Sequence, residues 1–149
     1  MSKRRLLLLL LLVGCRGQIL ATAKLTGPGT AETRFTADKA VELWSDFDGQ
    51  WEGNASSKYS TPPLAYLIEV VQDGAPLGKV ECKTHGSSRR SCGSFTKSGS
   101  NFGGNCEFRM NCELPPFHAG EVVLRVTGRL ADPARVKEVK NMSLNVRAP

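Results

Sequence analysis

Cys106-Glu107-Phe108-Arg109-Met110-Asn111-Cys112-Glu113-Leu114 alternates apolar and polar side chains without a break. In an extended chain successive side chains point to opposite faces, so Cys106, Phe108, Met110, Cys112 and Leu114 share one face and Glu107, Arg109, Asn111 and Glu113 the other. A helix would scatter that apolar set around its axis, whereas a strand with one buried and one wet face gathers it. Pro115-Pro116 stops the pattern, because proline cannot donate to a ladder. The alternation returns with Val122, Leu124, Val126 and Leu130 in residues 121–130, and with Met142, Leu144 and Val146 in residues 141–147.

Upstream, residues 64–72 and 77–84 flank Asp73-Gly74-Ala75-Pro76, a turn between two apolar-rich runs and hence a hairpin. In its second arm Val80 and Cys82 face inward while Lys79, Glu81 and Lys83 face out. Residues 32–37 and 40–48 read as the first strands, the latter carrying Val41, Leu43 and Phe47. Residues 49–63 read as a long connection, and residues 85–105, rich in Ser and Gly, as a long loop or a weak strand with loops. No stretch sustains an apolar repeat at helical spacing. The expectation is therefore all-β: an antiparallel two-sheet β-sandwich of seven or eight strands, of jelly-roll, immunoglobulin-like or C2-like topology. Phe108, Met110, Leu124, Val126 and Leu144 should lie in its core. The 149 residues show no internal repeat and no second domain.

The chain has five cysteines, an odd number. Cys106 and Cys112 on one straight strand stand about 20 Å apart, too far for a disulfide, whose Cα atoms must come within about 7 Å. Each must pair with Cys82 or Cys92. If the two stretches run antiparallel, the nested pattern Cys82–Cys112 and Cys92–Cys106 fits best. The rival is a zinc or copper site drawn from Cys82, His85, Cys92, Cys106 and Cys112, in which Cys82-x-x-His85 has usable spacing but no second compact pair completes the ligand set.

Cys15 has a different setting. Lys3, Arg4 and Arg5 precede an unbroken apolar run, Leu6 to Val13, and small Gly14 stands just before Cys15. Eight apolar residues cover only about 12 Å as a helix, against a hydrocarbon core of about 30 Å, so the run reads as an export signal and not as a span. Residues 1–15, ending in Leu12-Val13-Gly14-Cys15, resemble the signal and lipobox of bacterial lipoproteins. The resemblance implies a signal peptide at residues 1–14, a lipidated Cys15 carrying long acyl chains such as palmitate, and a membrane partner reached through that lipid. With Arg16, not Asp, after the cysteine, it implies the outer membrane of the cell envelope, facing the periplasm or the surface. An ordinary secretory signal cut after Gly17 or after Ala21-Thr22-Ala23 is the rival. Residues 15–30, small and polar with Gly27-Pro28-Gly29, read as a tether, and residues 31–149 as the folded domain.

Loss of residues 1–14 takes Lys3, Arg4 and Arg5 with it, and the formal charge falls from +6 to +3. So slight a charge argues against nucleic acid as a partner. Trp44, Asp46, Phe47, Asp48, Trp51 and Glu52 form the densest aromatic and acidic cluster. Exposed Trp44 and Trp51 could stack on a sugar ring with Asp46 and Asp48 accepting from its hydroxyls; the plainer reading makes the indoles core or edge-capping residues. Asp46-x-Asp48-Gly49 fails the EF-hand pattern, since Trp51 stands where glycine is required and no Glu closes the loop, which leaves only an irregular calcium loop. Arg89, Arg90 and Lys97 could meet anionic head groups or cell-wall polymers, or simply solvate a loop. His85 and His118 sit in no nucleophile motif, and Glu107 and Glu113 lie too far apart for a glycosidase pair. The chain is thus expected to be a non-enzymatic binding or structural module of the envelope, with no cofactor and with an envelope protein or glycan as partner; the alternatives are a glycan-binding module using exposed Trp44 and Trp51 and an unassigned hydrolase.

Overall fold

The computed structural model describes residues 17–86 and 88–149. Residues 1–14 and Cys15, and with them the expected signal peptide and lipidation, lie outside the described residues. Among the described residues nine strands form two sheets: β1 (Ile19–Lys24), β2 (Gly29–Ala37), β3 (Glu42–Glu52), β4 (Leu64–Gln72), β5 (Ala75–Lys83), β6 (Arg90–Ser98), β7 (Asn101–Arg109), β8 (Gly120–Leu130) and β9 (Val136–Arg147). One sheet has the order β1-β9-β3-β7-β6 and the other β2-β8-β4-β5, every neighbour antiparallel. The fold is the expected antiparallel sandwich. Its pairs β1 with β9, β2 with β8, β3 with β7 and β4 with β5 are those of a jelly roll, in which a long folded ribbon wraps round a core, with β6 added as a fifth strand at one edge.

Between the sheets lie Leu43, Phe47 and Trp51 of β3, Ile68 and Val70 of β4, and the five residues expected there, Phe108, Met110, Leu124, Val126 and Leu144, none more than 3% exposed. The core also contains a polar tie. Ser45, on the inner face of β3, meets the Tyr66 hydroxyl of β4 at 2.6 Å, and Tyr66 in turn donates to the Ser143 carbonyl of β9. Complete burial pushes the Tyr66 phenol well above its ordinary value of 10.0, the hydrogen bond to Ser45 opposing and Asp46 adding to the shift.

The expected tether is in fact mostly sheet. β1 pairs along β9, with Ala23 fully buried opposite Leu144. Alanines 21 and 23 look like linker residues, but their small side chains let an edge strand pack closely, and Gly27-Pro28 then turns the chain across to the other sheet. The strand expected over residues 106–114 begins at Asn101 and ends at Arg109. Beyond it Cys112 is drawn to Cys82 of the opposite sheet, so the chain leaves the plane five residues before the prolines. The Ser/Gly stretch forms a real hairpin, β6 to β7, turned at Gly99 with φ 60°. Glycine takes that left-handed conformation without a Cβ clash.

Both nested disulfides are present: Cys82–Cys112 and Cys92–Cys106. The inner one joins residues directly opposed in the β6–β7 ladder, as the antiparallel argument requires. The outer one has another origin, because Cys112 lies past the end of β7 and the bridge ties the β7–β8 connection to β5, the edge strand of the four-stranded sheet.

Candidate functional site

β3 decides the fate of the aromatic and acidic cluster. Its odd-numbered residues Leu43, Ser45, Phe47 and Trp51 face the core, and its even-numbered residues Trp44, Asp46 and Asp48 face outward. The pleat therefore separates Trp51 from the other three. Trp51 is fully buried, stacked 6.3 Å from Phe102 and edge-on to Phe47. Trp44 lies on the outer face yet is only 1% exposed, its indole N–H donating to Glu42 Oε2 at 3.1 Å. Neither indole offers a bare ring, so the sugar platform built on exposed Trp44 and Trp51 is corrected: the plainer reading of both residues holds. Asp46 and Asp48 remain on that outer face, partly exposed.

Beside Trp44 the alternation argument misses a strong feature. Glu107 was expected on a wet face but is 7% exposed, and Arg147, 9% exposed, grips it with Nε to Oε1 at 2.5 Å and Nη2 to Oε2 at 2.9 Å. Arg147 stands opposite Glu42 and Glu107 opposite Asp46, so this fork crosses β3 at the level of Trp44. The free Nη1 of the same guanidinium donates to the Gly17 carbonyl at 2.6 Å, and Ala148 N donates to Gln18 O. The start of the described chain is thereby fixed to one end of the sandwich.

The cysteine metal site is corrected too, since all four candidate thiols are consumed in disulfides. Among the described residues no group of three or more His, Cys, Asp or Glu is placed to hold a metal ion. His118 Nε2 meets Asp73 Oδ2 at 2.9 Å, with side chains 67% and 78% exposed, the geometry of a surface ion pair. The outer face of the four-stranded sheet is a lattice of exposed charges in which Arg34, Arg125 and Arg129 lean on Glu32, Glu69, Glu81 and Glu121. There Lys83, with Arg129 behind it, holds the Glu81 carboxyl below the usual carboxylate range. At the Gly17 end a cleft of about 460 Å³ lies between residues 39–43 and residues 109–117.

The residues read as a mere connection build the most structured surface loop. After Glu52 the chain turns through residues 53–63 to β4. Asn54 Oδ1 accepts from Ser56 N and Oγ, at 3.0 and 2.8 Å, an Asx turn that needs no outside support. Lys97 of β6 then clamps the loop by donating to the carbonyls of Ala55 and Ser57, at 2.8 and 2.6 Å, and Arg135 grips the Glu52 carbonyl with two N–H groups. Trp51 Nε1 donates to Ser60 Oγ at 3.2 Å, and Thr84 Oγ1 donates to Pro62 O. Of Arg89, Arg90 and Lys97, read from sequence as loop cations, Arg90 and Lys97 belong to β6 and Arg89 stands just before it, with Lys97 spent on holding the loop.

Tyr59 is the consequence. The residue is 49% exposed, and over its ring lie the Arg90 guanidinium, 4.6 Å from the centroid, and Lys58 Nζ at 5.3 Å, with the Phe95 ring at 5.7 Å. Beside it a cleft of about 320 Å³ is lined by Asn54, Ser57, Ser60, Thr84 and Arg135. Sequence reasoning passed over Tyr59 because loop composition hid it. The available signal was electrostatic: residues 53–63 contain Lys58 and no acid, and residues 82–106 contain no acid either. No protein-family model matches the chain, and no curated protein matches it.

Proposed function

We propose that this protein is a lipid-anchored lipoprotein of the bacterial cell envelope, most simply of the outer membrane, whose jelly roll is a non-enzymatic binding or structural module. The observation that carries the reading is how few residues of sequence separate Cys15 from the first fixed residue of the fold. Gly17 is held by Arg147 and β1 starts at Ile19, so a lipid on Cys15 would set the sandwich end-on against the bilayer. Two disulfides suit an oxidising compartment outside the cytoplasm. A secretory cut after Ala23 fits poorly, because it would delete five of the six residues of β1.

Two long acyl chains at about 0.8 kcal/mol per buried CH₂ would hold the protein on the membrane almost permanently. Metabolic labelling with radioactive palmitate tests the anchor: the wild type should take up label and Cys15→Ser should not, remaining uncut. Mass spectrometry of the mature protein showing an unmodified start at Gln18 or Lys24 would overturn it.

A further inference from the structure

β3 starts opposite Arg147, at the end that fixes Gly17, and its 11 residues carry the chain to the far end of the sandwich. At about 3.3 Å per residue the loop 53–63 emerges more than 30 Å from the anchored end. We infer that the cleft beside Tyr59 is a binding site for an anionic saccharide, an oligosaccharide bearing carboxylate or phosphate groups. The inference rests on the binding-module reading and names its ligand.

Four features carry it. Tyr59 presents a half-exposed ring, and the apolar C–H face of a pyranose packs against such a ring as other apolar groups do. The adjoining walls supply the side-chain amide of Asn54 and the hydroxyls of Ser57 and Ser60, groups that both donate and accept, as a polyhydroxylated ligand requires. Arg135 lines the cleft, Lys58 and Arg90 lie over the Tyr59 ring beside it, and neither residues 53–63 nor residues 82–106 contribute an acid, so the charge complement of the site is negative. The loop is already held by Asn54, Lys97 and Arg135, so little ordering is needed on binding. A folded protein partner fits less well: the cleft is small and polar, whereas a standard interface covers about 800 Å² on each partner.

The test uses the mature protein as isolated from its native envelope, in detergent micelles, so that the binding readout does not depend on whether Cys15 anchors it to a bilayer. Trp51 donates to Ser60 in the cleft wall, which makes its fluorescence a reporter alongside calorimetry. The probes are a galacturonate hexamer, neutral cellohexaose, a hexathymidylate, and rough-type lipopolysaccharide dispersed in micelles of the same detergent. The uronate or the lipopolysaccharide should bind more tightly than cellohexaose. The first result would identify a free polymer and the second a lipid-borne sugar. Tyr59→Ala should weaken that binding at least ~10-fold, while Tyr59→Phe, which keeps the ring, should stay within ~3-fold of wild type. Lys58→Gln, on an exposed side chain, should narrow the margin over cellohexaose. Binding of neither anionic probe, binding unmoved by Tyr59→Ala, or equal binding of hexathymidylate would overturn the inference. Palmitate labelling reports on the anchor separately, so either claim can fail alone.

Discussion

Removing the two disulfides one at a time should destabilise the fold unequally, and the nesting fixes the order. Cys82 and Cys112 are 30 residues apart, Cys92 and Cys106 only 14, and the second bridge lies inside the loop of the first. On a chain-entropy account, the outer bridge acting alone contributes about 3.7 kcal/mol and the inner alone about 3.0 kcal/mol. They are not independent. With the inner bridge in place, the outer one closes an effective loop of only about 17 residues, worth about 3.1 kcal/mol, and the inner bridge adds about 2.4 kcal/mol to a chain already confined by the outer. Cys82→Ala/Cys112→Ala should therefore cost more than Cys92→Ala/Cys106→Ala, and removing all four cysteines should cost about 6 kcal/mol. Packing widens the gap: Cys82 and Cys106 are both 1% exposed, but Cys92 sits exposed on the edge strand β6, whereas the outer bridge fixes the long β7–β8 connection to β5. Paired alanines leave no free thiol to confuse the comparison. Guanidinium unfolding followed by Trp44 and Trp51 fluorescence supplies the free energies. A larger loss from the inner pair, or a loss below about 1 kcal/mol from the outer, would refute the reasoning.

Tyr66 should make the protein sensitive to alkali. Its folded pKa is raised, so the stability it contributes is present below the ordinary value of 10.0 and is lost as pH rises above it; the wild type should weaken steadily above about pH 10 in pH-dependent denaturation, and Tyr66→Phe should flatten that slope while costing about 1–2 kcal/mol at neutral pH by stranding Ser45. Glu107→Ala should cost about 3–5 kcal/mol, because it leaves the Arg147 guanidinium buried without its fork, whereas Glu121→Ala on the exposed lattice should cost no more than about 1 kcal/mol in the same urea titration. At Gly49, where β3 and β9 shift register, an added Cβ would run into the Glu138 carbonyl, so Gly49→Ala should lower the unfolding midpoint by about 1–3 kcal/mol of stability; an unchanged midpoint would mean the bulge can open.

Period-two patterning made much of the sandwich legible, because β4, β8 and the second half of β9 carry enough large apolar residues to declare their burial, while β5, where only Cys82 is buried, is legible from the Asp73-Gly74 turn before it. It failed where side chains are small. β1 hides behind alanines, and β6, an edge strand of Ser, Gly, Thr and Lys with Phe95 its lone large apolar residue, has almost nothing to bury. The same arithmetic resolves the tryptophans: parity alone puts Trp51 with Leu43 and Phe47 inside and Trp44 outside, so the clustering of two indoles within eight residues is an accident of sequence and not a shared surface. What parity cannot supply is cover. An outward residue is wet only if nothing crosses it, and Arg147, 40 residues beyond Glu107 in sequence, reaches over β3 to remove that face from solvent. Neither partner's local pattern contains that information.

The two ends of the jelly roll differ for a related reason. At one end the strands β1, β3 and β9 converge on Gly17, Glu42 and Arg147, and main-chain and guanidinium bonds close the terminus against the sheet. At the other, β6 extends the five-stranded sheet past the edge of its four-stranded partner, so Phe95, Trp51 and Phe102 need a cover that no strand provides. Loop 53–63 supplies it, laying Tyr59 against Phe95 and receiving two bonds from Lys97. Because an aromatic used as a lid has one side on the core and the other toward solvent, the packing requirement of the extra strand itself creates a fixed, exposed ring. Deleting the reason for the lid should therefore release the site: Phe95→Ser should raise Tyr59 mobility and weaken any ligand held there without touching a cleft-lining group. A Phe95→Ser protein that stays folded and binds as tightly as wild type would show that the lid and the site are unconnected.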